Sequence, residues 1–207
     1  MRTLTTVLVS LALLPAAPAT SVAQPVIVGG VLGRAESRQL RERAEDSSPR
    51  SGPVAGAWLE IETPTRLVHV LAEAVYVRRG GTFPRAGPGG LSGDVQSDYL
   101  ALTVAPALHV AGGPMAAYAY GGPTLETPLG TRTVAELGNA YANPSAQGLS
   151  VTAGAGLEAR ASRWVVRGEV RIVEGLTSAY SGSAGDFRHR STEILMRVGR
   201  QARTTIP

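Results

Sequence analysis

Polar and apolar residues alternate along most of this chain with a period of two. The stretch Arg163 to Leu176 shows it best. Trp164, Val166, Gly168, Val170 and Ile172 fall on one face, while Arg167, Glu169 and Arg171 fall on the other with Val165 and Val173. A strand points successive side chains to opposite sides of its sheet, so one face here is oily and the other carries a row of charges. The same period marks eight strand-like segments, approximately Pro25–Gly33, Pro53–Glu62, Thr65–Arg78, Ser97–Ala111, Pro114–Thr124, Gly148–Arg160, Arg163–Glu174 and Phe187–Arg200. In the second, Trp58, Glu60 and Glu62 oppose Ala55, Ala57, Leu59 and Ile61. In the third, His69 and Glu73 oppose Val68, Val70, Ala72, Ala74 and Tyr76. In the fourth, Tyr99, Thr103 and His109 oppose Leu100, Leu102, Val104, Leu108 and Val110. In the sixth, Ser150, Thr152, Glu158 and Arg160 oppose Leu149, Val151, Ala153, Ala155, Leu157 and Ala159. In the eighth, Glu193 and Arg197 oppose Ile194, Met196 and Val198.

The connections between these segments alternate in length. Arg34 to Gly52, Arg79 to Gln96, Leu125 to Gln147 and Gly175 to Asp186 are long; Thr63-Pro64, Gly112-Gly113 and Ala161-Ser162 are short. That rhythm predicts an up-and-down barrel with tight turns at one rim and loops at the other. Most segments reach the ~9–11 residues that a tilted strand needs to cross a bilayer.

Alternation alone fits two opposite orientations. A water-soluble barrel puts the oily face inside, and a transmembrane barrel puts it outside. The apolar faces are rich in Ala, which fills a close-packed core poorly but is tolerated by lipid. The charged faces carry both signs: Glu60, Glu73, Glu158, Glu169 and Glu193 with Arg160, Arg167, Arg171 and Arg197. Folding the last hairpin about residue 182 sets Arg171 across from Glu193, and directly facing residues interact most strongly. Small eight-stranded barrels are filled by side chains. These nine residues are therefore expected to form a lumen charge network that plugs the barrel.

The N-terminus adds a compartment. Met1-Arg2, the apolar run Val7 to Leu14 and the small residues Ser21-Val22-Ala23 have the form of a secretory signal peptide cut before Gln24. The expected organisation is a signal peptide over 1–23, a barrel over 24–201 and a short tail over 202–207. The mature chain of about 184 residues suits one domain. The chain has no Cys, which removes disulfides, thiol chemistry and lipid attachment after the cut. Net charge is +4, and every strong base is Arg. Because Arg and Glu are interleaved rather than clustered and aromatics are few, nucleic-acid binding is not expected.

Three short motifs bear a family resemblance. Glu73-Ala-Val-Tyr76-Val-Arg-Arg-Gly80-Gly81, Tyr118-Ala-Tyr-Gly121 and Glu169-Val-Arg171-Ile-Val-Glu-Gly175-Leu176 resemble, in order and spacing, strands of the bacterial outer-membrane β-barrel domain family (PorT-like). The spacing from Tyr99 to Pro106 is wider than the family's, and the last strand lacks a terminal aromatic. The resemblance implies an eight-stranded barrel in a Gram-negative outer membrane, assembled by the barrel-assembly machinery and usually without assigned activity.

Other chemistry is thinner. Asp94, Asp98, Asp186 and His189 could meet at the loop rim, where a His beside an Asp serves as a general base and carboxylates hold a cation; no nucleophile motif accompanies them. Arg34, Arg38, Arg41 and Arg43 could touch lipopolysaccharide phosphates, and Arg41 and Glu45, four apart, could support a short helix. Trp164 and Tyr76 are candidates for interfacial anchors. The reading that results is an all-β, eight-stranded, up-and-down antiparallel transmembrane β-barrel, porin-like in fold. It is expected to be exported to the outer membrane, non-enzymatic, without cofactor or metal, and structural or surface-interacting through four extracellular loops. Its expected partners are outer-membrane lipid, lipopolysaccharide and the assembly machinery. The alternative is a secreted or periplasmic lipocalin-like barrel, with Leu100, Val104, Val151 and Val170 lining an apolar ligand cavity.

Overall fold

A computed structural model describes residues 24–41, 47–65, 67–83, 93–133, 143–144, 147–178, 180–182 and 185–204. Eight long strands make the body: β1 (Gln24–Arg41), β2 (Ser48–Glu62), β3 (Val68–Phe83), β4 (Gly93–Gly112), β5 (Met115–Thr133), β7 (Gly148–Ala161), β8 (Trp164–Gly175) and β10 (Gly185–Thr204). Two short pieces, β6 (Asn143–Pro144) and β9 (Tyr180–Gly182), pair with each other, and β9 extends the loop end of β10. Each long strand pairs antiparallel with its chain neighbour, and β1 pairs with β10 from Gln24↔Thr204 to Arg41↔Phe187. The sheet therefore closes on itself as an eight-stranded up-and-down antiparallel barrel, which leaves no open edge among these strands. Among the described residues every element is a strand.

The tight turns gather at one rim. Gly113-Pro114 joins the paired Gly112 and Met115, and Ser162-Arg163 joins the paired Ala161 and Trp164. Gly113 (φ 71°) and Ser162 (φ 57°) adopt the left-handed backbone that such two-residue connections require. Pro106 and Pro123 lack an N–H, and the β4–β5 ladder is interrupted from Val104 to Pro106 without losing its register.

The strands outrun the apolar pattern at the loop end. β1 continues to Arg41 rather than stopping at Gly33, and β5 continues to Thr133 rather than Thr124. Arg34–Arg41 is thus strand, not loop. The short helix expected around Arg41 and Glu45 has no place for Arg41, and Glu45 lies outside the described residues. At its other end β10 reaches Thr204, so Ala202–Thr204 complete the seam with β1.

Orientation is inside-out. Leu100 (38%), Val104 (58%), Val151 (43%) and Val170 (52%) are exposed on the exterior, which overturns the lipocalin-like arrangement that would bury them. They belong to an outward apolar surface with Leu102, Leu108, Leu157, Ile172, Ile194 and Met196. The interior is mixed. Ile27, Val31, Trp58, Leu71, Val75, Tyr99, Tyr118, Tyr120 and Leu195 pack there among buried Glu and Arg. Most aromatic rings of the barrel thus point inward, whereas Trp164 is exposed at the turn rim and Tyr76 is partly exposed on the exterior. Gly154 and Gly156 on β7 make room for two of the inward rings. A Cβ at Gly154 would stand 2.6 Å from Tyr120 Cε1, and one at Gly156 would stand 2.9 Å from the Tyr118 hydroxyl.

Candidate functional site

The charged faces of five strands converge in the lumen as one column of ion pairs. Period-two alternation puts Glu60 and Glu62 of β2, Glu73 of β3, Glu158 of β7, Arg167, Glu169 and Arg171 of β8 and Glu193 and Arg197 of β10 on inner faces, where all are buried. Arg160 of β7 is half-buried at the turn rim.

Near the turns, Arg167 clamps Glu60 with two bonds, Nη1 to Oε2 at 2.6 Å and Nη2 to Oε1 at 2.7 Å. Its Nε reaches Glu158 Oε2 at 2.6 Å. Such two-pronged pairing is what a planar guanidinium does and an ammonium cannot. The same guanidinium lies 4.5 Å from the Trp58 ring centre and 4.8 Å from that of Tyr118. Arg160 bonds Glu158 and, at 2.7 Å, Glu62.

Further in, register makes Arg167 and Arg197 face each other directly. Like charges so placed repel unless carboxylates separate them. Arg197 is held by Glu169 at 2.8 Å and Glu73 at 2.6 Å. Glu169 also accepts the Tyr118 and Tyr120 hydroxyls at 2.6 and 2.7 Å. Arg171 contacts Glu73 and sits 2.6 Å from Glu193, its direct partner in register.

The column continues into Arg79 and Glu126, which the sequence pattern does not single out, and into His69, His109 and His189, which it does not join to the charges. Arg79 of β3 pairs with Glu126 of β5 and, at 2.9 Å, with Glu193. His189 Nε2 lies 2.9 Å from Glu126. At the opposite end His69 Nδ1 lies 2.7 Å from Glu60 Oε1, and its ring stacks on His109 at 3.9 Å. The signals were present but masked: Arg79 stands beside Arg78 where both faces of the strand are polar, and Glu126 lies in the Leu125–Gln147 stretch, which reads as a long connection.

The loop-rim group is not assembled. His189 is inside the lumen on Glu126 and Arg79. Asp98 faces outward with Tyr76 (2.8 Å) and Arg78 (2.7 Å), and Asp94 pairs with Arg50 at 2.5 Å. The side chain of Asp186 lies outside the described residues. Of the four Arg expected to meet phosphates, Arg34 is exposed and Arg38 half-buried. The Arg41 side chain and Arg43 lie outside the described residues.

As a chemical arrangement, this lumen binds its own side chains. Arg79, Arg167, Arg171 and Arg197 are each held by two carboxylates, so the charges pair chiefly with one another, although Arg79 Nε and Arg197 Nη1 have no partner. The exception is at the turn rim, where a cavity of about 390 Å³ is lined by Glu62, His69, His109, Glu158, Arg160 and Gln201 among others.

Similarity to solved structures lies in the fold. The chain resembles neisserial surface protein A (NspA) at 9% identity, over 84% of this chain and 96% of that one, with a TM-score of 0.51. The two share a fold. Weaker likenesses are to Ail, the attachment invasion locus protein of Yersinia pestis, in complex with the heparin analogue sucrose octasulfate (12% identity, 86% and 99% covered, TM-score 0.46), and to the N-terminal β-barrel domain of Pseudomonas aeruginosa OprF (9%, 82% and 96%, TM-score 0.33). No family model matches the chain, and no curated protein matches it.

Proposed function

We propose that this protein is a non-enzymatic β-barrel of the Gram-negative outer membrane, whose lumen is plugged by its own side chains and whose role is structural or one of surface contact through the loop end. The observation that carries the reading is the orientation of the faces: an apolar exterior around a lumen of paired Glu and Arg. Water would penalise that exterior, and lipid does not. Three further points support it. Met1-Arg2, the apolar run Val7 to Leu14 and the small residues Ser21-Val22-Ala23 have the form of an export signal. The motifs at Glu73–Gly81, Tyr118–Gly121 and Glu169–Leu176 resemble the PorT-like outer-membrane family. NspA, of the same fold, is named a surface protein.

In this reading the barrel is inserted by the assembly machinery. Trp164 anchors the turn rim in the periplasmic interface, and Tyr76 lies toward the outer one. At the loop end the outward Arg34, Arg50 and Arg78 stand where lipopolysaccharide phosphates would be. Loop connections of this kind are the usual carriers of recognition on a rigid scaffold.

Cell fractionation and mobility shift test this together. The expected outcome is recovery of the protein, cleaved before Gln24, in the outer-membrane fraction, with a detergent-extracted band that changes mobility on boiling. Recovery in the soluble periplasm with no heat-dependent shift would overturn the reading.

A further inference from the structure

The turn-side cavity holds a group that barrel architecture does not use. His109 is 4% exposed, yet neither of its ring nitrogens makes a hydrogen bond. Buried polar atoms are normally paired, and an orphan imidazole points to something that occupies it. Its Nε2 lies 3.4 Å from Glu60 Oε1, the oxygen that also meets His69 Nδ1 at 2.7 Å. One donor atom from each of Glu60, His69 and His109 falls within 4.8 Å of the others. Both imidazoles line the cavity at the turn rim.

We propose that Glu60, His69 and His109 form a binding site for one divalent transition-metal ion, entered from the turn rim. Two imidazoles and one carboxylate suit zinc, nickel or copper; calcium and magnesium favour all-oxygen sites. Charge points the same way. Seven carboxylates in the described lumen (Glu60, Glu62, Glu73, Glu126, Glu158, Glu169 and Glu193) face five guanidiniums (Arg79, Arg160, Arg167, Arg171 and Arg197). Near the turns the balance is Glu60, Glu62 and Glu158 against Arg160 and Arg167, so a cation there compensates a deficit. Arg167 does not preclude the ion. It holds both oxygens of Glu60 and also Glu158, and so fixes the carboxylate as outer partners of metal ligands do; Oε1 keeps one lone pair on Arg167 Nη2, and the other, which faces His69 Nδ1, is the one an ion would take. The His rings are nearly parallel, 15° apart, so sharing one ion takes a turn of His109 about its Cβ–Cγ bond. That turn breaks no hydrogen bond and exchanges the ring's stacking on His69 and Tyr118 for the ion.

The test uses tag-free mature protein folded in detergent and titrated with Zn²⁺ by calorimetry and with Co²⁺ by visible absorption. One ion per chain is expected, with a cobalt band of nitrogen–oxygen ligation. His69→Ala and His109→Ala each weaken binding by at least about tenfold, while both variants keep the heat-dependent mobility shift that certifies a folded barrel. If a variant does not fold, the conservative His69→Gln or His109→Gln takes its place. Absence of saturable binding, or binding of equal strength in the His variants, would overturn the site. Neither result touches the membrane assignment, which fractionation decides on its own.

Discussion

Arg171 shows what one residue contributes to this lumen. Its guanidinium lies between Glu73 and Glu193, and all three side chains are buried. Replacing it by Leu leaves Glu73 with Arg197 alone and Glu193 with Arg79 alone, each buried carboxylate short of one of its two guanidiniums. Breaking one partner out of a buried pair costs about 3–5 kcal/mol. Arg188 lies on the exposed face of the same barrel, where substitutions typically change stability by less than about 0.5 kcal/mol. Urea unfolding in lipid vesicles should therefore separate Arg171→Leu from Arg188→Leu by several kcal/mol, and equal midpoints would contradict the paired role of Arg171. Gly154 makes the complementary point about space. Tyr120 lies against it and is fixed at its hydroxyl by Glu169. Gly154→Val has to displace that ring, at a cost of about 1–3 kcal/mol for overpacking. The same unfolding measurement checks it, and a stability unchanged from the parent protein would show that the ring has another place to go.

At the scale of the strand, the reach of β3 and β4 beyond the oily surface has its own chemistry. Asp94, near the start of β4, accepts from Thr82 and Arg50, and these two contacts, in that order, hold its carboxyl below the usual carboxylate range. A carboxyl depressed on folding stabilises the folded form above its unfolded value and loses that contribution as the pH falls through the folded one. The loop ends of β2, β3 and β4 should accordingly loosen under acid. The protection factor for hydrogen exchange at Thr82 and its neighbours is expected to fall as pH drops into and below the carboxylate range, and Asp94→Asn should abolish that pH dependence while lowering protection at neutral pH. The same strand ends explain what sequence could and could not say. Where one face is oily, as in Trp164–Ile172, the period of two is visible, and folding the last hairpin about residue 182 sets Arg171 opposite Glu193, as the register has it. Past the oily surface both faces turn polar and the period disappears. Arg34–Arg41 then reads as loop although it is strand. Arg78-Arg79 reads as a charged pair although Arg78 turns out to Asp98 and Arg79 turns in to Glu126. His189, inside the last strand-like segment, reads as a rim group although it turns in to Glu126. The His69–His109 stack is beyond any periodicity, because it joins two strands at positions that only the β3–β4 shear brings together.

The whole molecule is a cylinder in which oil faces out and ion pairs face in. At Arg167, Arg197 and Arg171 guanidiniums that each bridge two carboxylates stand across the lumen, and the proposed plug rests on them. Planar-bilayer recordings should show no stable open-channel steps. Arg197→Ala, which empties the centre of the column, is the variant expected to introduce them. Persistent porin-like steps from the parent protein would mean that the plug is not a plug. The alternating lengths of the connections and the one-sided charges were enough to anticipate eight antiparallel strands and closure. The inward placement of Trp58, Tyr99, Tyr118 and Tyr120 reflects the need to fill the cylinder, since Ala and Gly alone leave voids that side chains of this size occupy.

The seam between β1 and β10 brings Gln24 alongside Thr204 at the turn rim. The first and last residues of the cylinder are therefore next-door neighbours, and which strand comes first is a matter of numbering rather than of shape. A circularly permuted chain, with Thr204 joined to Gln24 by a few Gly and Ser residues and new ends opened between β3 and β4, keeps every strand pairing. It differs only in the order in which the strands emerge from synthesis. If such a permutant inserts as readily as the parent, assembly follows the completed ring; if it stalls, the machinery requires β10 to arrive last.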